Sequence, residues 1–138
     1  MNQYSFFLGD VCWFDVLEIS KKTHFYSLAD QLYRATGSIS ANIAEGYSKN
    51  SGRDQARFYE YALGSARESR DWYFKARRIF AGDVYDHRNE LLTMVIKLLL
   101  TMIPNQRKAT AKETTAFYGT DSNSVTDQLL TQIPFPKP

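Results

Sequence analysis

One run of the sequence restricts the fold more than any other: Leu28, Leu32, Ala35, Ile39 and Ile43 recur at steps of four, three, four and four. That spacing lays five apolar side chains along one face of an α-helix and cannot describe a strand, where neighbours alternate. Ser27 supplies an N-cap and Asp30 an acid in the first turn, and Gly46 closes the run. Gly37, in mid-helix, costs about 1 kcal/mol against alanine. Its lack of a side chain is therefore expected to serve the close approach of a neighbouring helix.

Three further segments carry the same period. From Gly9 to Ser20, Val11, Phe14, Leu17 and Ile19 form a rough stripe that predicts a short first helix. After the turn Lys49-Asn50-Ser51-Gly52, a cap at Ser51 or Gly52 with Asp54 behind it starts a third helix that runs to Phe80. On that helix Phe58, Tyr61, Ala62, Ser65, Ala66, Ser69, Trp72, Tyr73, Ala76 and Phe80 share one side, with small residues between aromatic ends. Ala81-Gly82-Asp83 breaks the chain, and Asp83 or Asp86 caps a fourth helix. There Val95, Leu98 and Met102 make one stripe and Leu92, Ile96, Leu99 and Ile103 a second, until Pro104 stops it. So wide an apolar arc predicts cover on two sides, the second from another subunit.

The resulting expectation is an all-α, antiparallel, up-and-down four-helix bundle over residues 1–104, with a C-terminal extension over 105–138. In the extension, Asn105 to Ala116 reads as a few more helical turns and Phe117 to Asn123 as loop. Leu129, Leu130, Ile133 and Phe135 then form an apolar cluster that suits either a disordered tail or an arm packed on a neighbour.

Composition narrows the class. A chain of 138 residues is one domain's length, and 43% apolar against 23% charged residues is a folding composition. Nine Tyr, nine Phe and two Trp exceed what a minimal core needs and point to an interface. Cys12 is the single cysteine, so neither an intrachain disulfide nor a thiolate metal cluster can form. The apolar run Leu91 to Ile103 is broken by Lys97 and is too short to span a membrane, and the N-terminus lacks a secretory pattern, so a cytoplasmic protein is expected.

Little in the sequence points to catalysis, and no metal or cofactor is expected. There is no phosphate-binding glycine loop, no HExxH and no spaced Cys/His set. His24 and His87 are far apart and read as polar residues near helix ends. Glu45, Glu60, Glu68 and Asp71 are the acids from which a nuclease would build a divalent-ion site, although surface helices carry acids at this density anyway. Asn42 sits at the edge of the second-helix stripe, where its amide would bond across a helix pair or subunit boundary. Glu45 is placed to pair with Lys49.

Charge is uneven. Lys49, Arg53, Arg57, Arg67, Arg70, Lys75, Arg77 and Arg78 face only four acids in the same stretch, and Arg107, Lys108 and Lys112 follow beyond the fourth helix. These cations are candidates for a nucleic-acid surface, weak per subunit and stronger when repeated by symmetry. An ion-paired, solvated face explains them as well. Tyr59, Leu63 and Phe74, interleaved with Arg70 and Arg77, suit a protein interface better than a base-stacking strip. With Leu92, Ile96 and Leu99 of the fourth helix, they are the surfaces expected to meet a neighbour.

LADQLYRATGSISANIAEG (28–46) and ARFYEYALGSARES (56–69) resemble the small four-helix proteins associated with 23S ribosomal RNA intervening sequences. The most specific parts are 40–46 and 62–68. The resemblance implies an antiparallel bundle assembled as a ring, typically a pentamer, with no enzymatic activity. More distantly the chain resembles the accessory protein of diversity-generating retroelements, which implies a reverse transcriptase partner and a basic nucleic-acid surface. Carried over, Asn42 and Glu45 become bundle or assembly residues and the arginine-rich third helix the RNA or DNA surface. The short first helix and the long tail depart from that pattern. The function expected is a non-enzymatic homo-oligomer that binds nucleic acid or a nucleic-acid-processing protein, with a pure protein adaptor as the alternative and a metal-dependent nuclease third.

Overall fold

The computed structural model describes residues 2–108 and 124–137. Four long helices, α1 (Asn2–Ser20), α2 (Tyr26–Tyr47), α3 (Gly52–Ala76) and α4 (Gly82–Lys108), follow one another through short connections, and a fifth, α5 (Ser124–Thr131), lies near the C-terminus. Each long helix packs on the next, and α1 meets α4 to close an antiparallel four-helix bundle. No strand occurs among the described residues.

α1 is longer than the sequence stripe implies, beginning at Asn2 instead of near Gly9. Its buried side is Ser5, Leu8, Val11, Cys12, Asp15 and Ile19, whereas Phe14 and Leu17, expected in the core, are about half exposed. A carboxylate in the middle of the buried side masks the period, and the outward aromatics offer a false one. The first helix is thus not short, and that departure from the family pattern disappears.

α2 follows its predicted stripe, with Leu32, Ala35, Ile39 and Ile43 buried. It starts one residue before Ser27, after a 3-10 turn at Thr23–Phe25, and no side chain caps it. Gly37 is not a packing point, since nothing lies within 4 Å of where its Cβ would stand. The close approach is at Gly46, where a Cβ would sit 2.6 Å from Cε1 of the buried Tyr59.

Ser51 caps α3 as expected: its Oγ accepts from the Asp54 N–H at 3.1 Å and donates to the Asp54 carboxylate at 2.9 Å. α3 ends at Ala76, four residues before Phe80, which reaches the core from the following turn and tilts onto Tyr73. The buried face is rotated from the predicted one. Ala56, Tyr59, Ala62, Leu63, Ala66, Ser69, Tyr73 and Ala76 point inward, and Tyr61 is about half exposed. Tyr59 and Leu63 are therefore core residues of the subunit and cannot form part of an exposed patch.

In α4 the wide apolar arc is largely covered within the chain. Leu91, Leu92, Val95, Ile96, Leu99 and Ile103 are all buried, so Leu92, Ile96 and Leu99 need no second subunit, and Leu100 is the large residue left outside. Pro104 does not end the helix, which runs to Lys108. The lost backbone N–H costs one bond to the preceding turn. Ile103 in the core and an ion pair between Arg107 and Glu60 of α3 hold the last turns to the bundle. The expected loop at Phe117 to Asn123 lies outside the described residues, whereas the C-terminal apolar cluster docks on its own bundle: Leu129 is buried, Ile133 packs against the core, and Phe135 meets the Phe14 ring at 5.3 Å.

The two glycines of α2 predict opposite outcomes for the same substitution. Gly46→Ala should lower the unfolding free energy by about 1–3 kcal/mol through overpacking against Tyr59. Gly37→Ala should raise it by about 0.5–1 kcal/mol through helix propensity. Urea denaturation of the two variants measures both.

Candidate functional site

The polar groups of the molecule fall into two sets, one sealed in the core and one spread along α3. Inside, Asp15 of α1 is fully buried and accepts two hydrogen bonds from Arg88 of α4, from Nε at 2.7 Å and from Nη2 at 2.9 Å. The Tyr73 hydroxyl of α3 donates to the same carboxylate at 2.7 Å. Arg88 also donates from Nη1 to His87 Nδ1 at 2.8 Å, and His87 Nε2 lies 2.7 Å from the Leu129 carbonyl. An arginine can only donate and a carbonyl only accept, so His87 must be neutral with its proton on Nε2. Burial, chiefly, holds the imidazole below its ordinary pKa of 6.5; the Arg88 charge acts the same way, against the pull of the Leu129 carbonyl.

One turn along, Cys12 Sγ, Thr36 Oγ1 and Ser69 Oγ form a chain across α1, α2 and α3, each step 3.5 Å, ending in a 2.8 Å bond from Ser69 to the Ser65 carbonyl. Burial pushes the Cys12 thiol up to about 11 and the Tyr73 phenol well above 10. Neither is available as an anion near neutrality, and Asp15, the one buried carboxylate among the described residues, is consumed by Arg88 and Tyr73. This layer ties the helices together: its thiol and phenol are held neutral, and both ring nitrogens of His87 are taken up in hydrogen bonds. Asp15 and Arg88 are absent from the residues expected to matter, although the sequence carries the signal. Arg88 stands in the buried series Val84, Arg88, Leu91, Val95, and Asp15 in Leu8, Val11, Cys12, Asp15, Ile19. Opposite charges at core positions of two helices predict a buried pair.

The four acids considered for a metal do not converge. Glu45 pairs with Lys49 at 2.5 Å, Asp71 with Lys75 at 2.5 Å and Glu60 with Arg107, while Glu68 accepts from the Trp72 indole at 3.2 Å. Among the described residues no group of three or more His, Cys, Asp or Glu is placed to hold an ion. Asn42 donates to the Ser38 carbonyl of its own helix at 2.8 Å and, among the described residues, to no other helix of the chain.

The predicted basic residues divide by partner. Lys49, Lys75 and Arg107 are paired as above, and Arg57 stands 3.7 Å from Asp54. Arg53, Arg67, Arg70, Arg77, Arg78 and Lys108 have no carboxylate partner among the described residues. Arg77 instead lies over the half-exposed Phe74 ring, 3.8 Å from its centroid, and donates to the Phe74 carbonyl. Guanidiniums without a carboxylate partner among the described residues are thus found at Arg53, Arg67 and Arg70 of α3 and at Arg77 and Arg78 just after it. A model of the family described as 23S rRNA-intervening sequence protein matches residues 11–102, about two-thirds of the chain.

The chain belongs to the 23S rRNA-intervening sequence protein family. No curated protein and no solved structure matches it. The family match covers α1 from Val11, all of α2 and α3, and α4 to Met102, so it includes the whole buried polar layer of this intervening-sequence protein except its bond to Leu129. No helix of the described residues is long and apolar enough to cross a membrane.

The large exposed apolar residues of this family member are concentrated away from α3. Phe6, Trp13 and Leu17 recur along the outer side of α1, each at least half exposed, with Asp10 the charge among them. Trp13 meets Tyr33 of α2 edge to face at 6.0 Å, beside the exposed Asp30–Arg34 pair, and exposed Gly37, Ala41 and Ala44 continue the surface along α2. Exposed apolar side chains are thus more numerous on α1 and α2 than on α4, where Leu100 is the one large apolar residue left outside.

Protonating His87 would place its Nδ1–H against Arg88 Nη1 and two cations side by side. Its folded pKa lies below its unfolded value, so this contribution is full above the unfolded pKa and is lost as pH falls through the folded one. The unfolding free energy should therefore decline from pH 7 to pH 5, by at most about 1.4 kcal/mol per pH unit for the single proton. In His87→Gln this part of the decline should be absent, as urea titrations at stepped pH would measure.

Proposed function

We propose that the protein is a non-enzymatic homo-oligomeric helical bundle that binds RNA through the outer face of α3. The observation that carries this reading is the set of arginines without carboxylate partners among the described residues, Arg53, Arg67, Arg70, Arg77 and Arg78, on α3 and the turn after it. Solvated cations that a protein leaves uncompensated attract polyanions, and each phosphate neutralised releases counterions. The family's description by an rRNA intervening sequence supports RNA as the polyanion. The buried polar layer supports the non-enzymatic part, because its groups are sealed and mutually satisfied.

Assembly is the second element of the proposal. Phe6, Trp13, Leu17 and Tyr33 form a largely apolar surface, with Asp10 and the Asp30–Arg34 pair as its charges, of the kind that protein interfaces cover. With α1–α2 taken by neighbours, α3 stays outside on every copy, and symmetry multiplies a modest basic face into an extended one. A ring, with five copies as the family resemblance implies, satisfies that geometry. The same aromatic surface favours a second reading, an adaptor that docks a nucleic-acid-processing protein such as a reverse transcriptase and ignores nucleic acid itself.

Two measurements separate these readings. Light scattering should show a defined oligomer for the wild type and a monomer with unchanged helicity for Trp13→Glu. Binding to a fluorescent RNA should weaken steeply with salt. The double variant Arg53→Gln/Arg78→Gln should reduce both affinity and salt slope, the slope by about 0.7 for each single-strand phosphate that is no longer neutralised. A wild type that assembles yet binds no RNA at low salt leaves the adaptor reading.

A further inference from the structure

Arg67, Arg70 and Phe74 of α3 and Arg77, the first residue past its end, follow at steps of three, four and three and make one ridge. Opposite the ridge stand Tyr85 and Asn89, four residues apart on α4. Arg67, Arg70, Asp71, Phe74, Tyr85 and Asn89 together line an open cavity of about 300 Å³ between the two helices. That volume is at the lower end of the range for small-molecule sites.

The lining has three separable chemical characters. Arg67 and Arg70 carry full charges with no carboxylate partner among the described residues, and the single acid of the cavity, Asp71, is occupied by Lys75 at 2.5 Å. The cavity is therefore net cationic and suits an anion. Phe74 is half exposed. One face of its ring is taken by the Arg77 guanidinium, so a flat ligand stacked on the other face would complete a cation–ring–ring sandwich. The Asn89 side chain makes no hydrogen bond among the described residues, which leaves both donors and the acceptor of its amide available.

An anion, a flat ring and a polar ring edge coincide in a nucleotide. In a duplex the base faces are stacked on one another and cannot reach an exposed phenyl ring, whereas an unpaired nucleotide presents both face and edge. We infer that the α3–α4 groove binds one unpaired nucleotide of a single strand, its phosphate held by Arg67 and Arg70, its base stacked on Phe74 and the base edge met by Asn89. This rests on the RNA-binding reading of α3 and narrows it from a charged face to a site that distinguishes single strands from duplexes.

The test uses the full-length chain and fluorescence anisotropy with a mixed-sequence 12-nucleotide RNA, alone or annealed to its complement. Phe74→Ala should weaken single-strand binding about tenfold, the loss of one stacked base, and change duplex binding less than twofold. Phe74→Leu, which keeps bulk without a ring, should behave alike, and both variants should melt with the wild type because Phe74 is half exposed. If either folded variant binds the single strand as tightly as the wild type, or loses single strand and duplex equally, the groove site is wrong while the basic-face reading stands. If the wild type binds neither RNA at low salt, the RNA-binding reading fails and this site fails with it.

Discussion

The buried pair between Asp15 and Arg88 is the interaction on which the rest of the structure depends. Two charges with no exposure to solvent are costly to desolvate, and only mutual contact with complete hydrogen bonding offsets that cost. The geometry meets both conditions. The carboxylate takes two bonds from the guanidinium and one from Tyr73, and the remaining guanidinium nitrogen donates to His87, which is thereby fixed in one tautomer and donates in turn to the Leu129 carbonyl. One ion pair thus joins α1, α3, α4 and α5. An apolar bundle could slide by a turn at modest cost; sliding here would leave a charge buried alone. The pair favours one register, together with the Cys12–Thr36–Ser69 chain and the Tyr59 ring packed against Gly46.

Register matters because both outer surfaces are defined by it. With α1 held at Asp15, Phe6, Trp13 and Leu17 must point away from the core, and Trp13 meets the half-exposed Tyr33 of α2. Tyr73 is turned inward, and Phe74, one residue on, lies half exposed with Arg67 and Arg70 along the groove to α4. The aromatic face and the basic face are consequences of the same buried bonds, seen from opposite sides of the bundle.

The helices are largely legible in the sequence because bundle packing imposes the 3.6-residue period that α2 and α4 display openly. The failures have physical causes. α1 hides its length because its buried side carries Ser5 and Asp15 while its solvent side carries aromatics, inverting the usual pattern. The inward face of α3 is obscured because Tyr and Phe occur around its whole circumference, so composition cannot say that Tyr59 is inside and Tyr61 outside. Gly37 and Gly46 are identical in sequence terms, and only the approach of Tyr59 separates a required glycine from a dispensable one. Of the candidate site, the basic excess of the stretch from Lys49 to Arg78 is evident from composition. Which cations stay uncompensated is not, since that depends on Glu60 meeting Arg107 across two helices.

The claim that the Asp15–Arg88 pair organises the bundle is tested most directly by a thermodynamic double-mutant cycle, using Asp15→Leu, Arg88→Met and the double variant in urea denaturation. Each single variant leaves one charge buried without its partner and should lose about 3–5 kcal/mol, while the double variant should lose far less than their sum, giving a coupling of about 2 kcal/mol or more. Single losses below about 1 kcal/mol that simply add in the double variant would contradict the organising role of the pair.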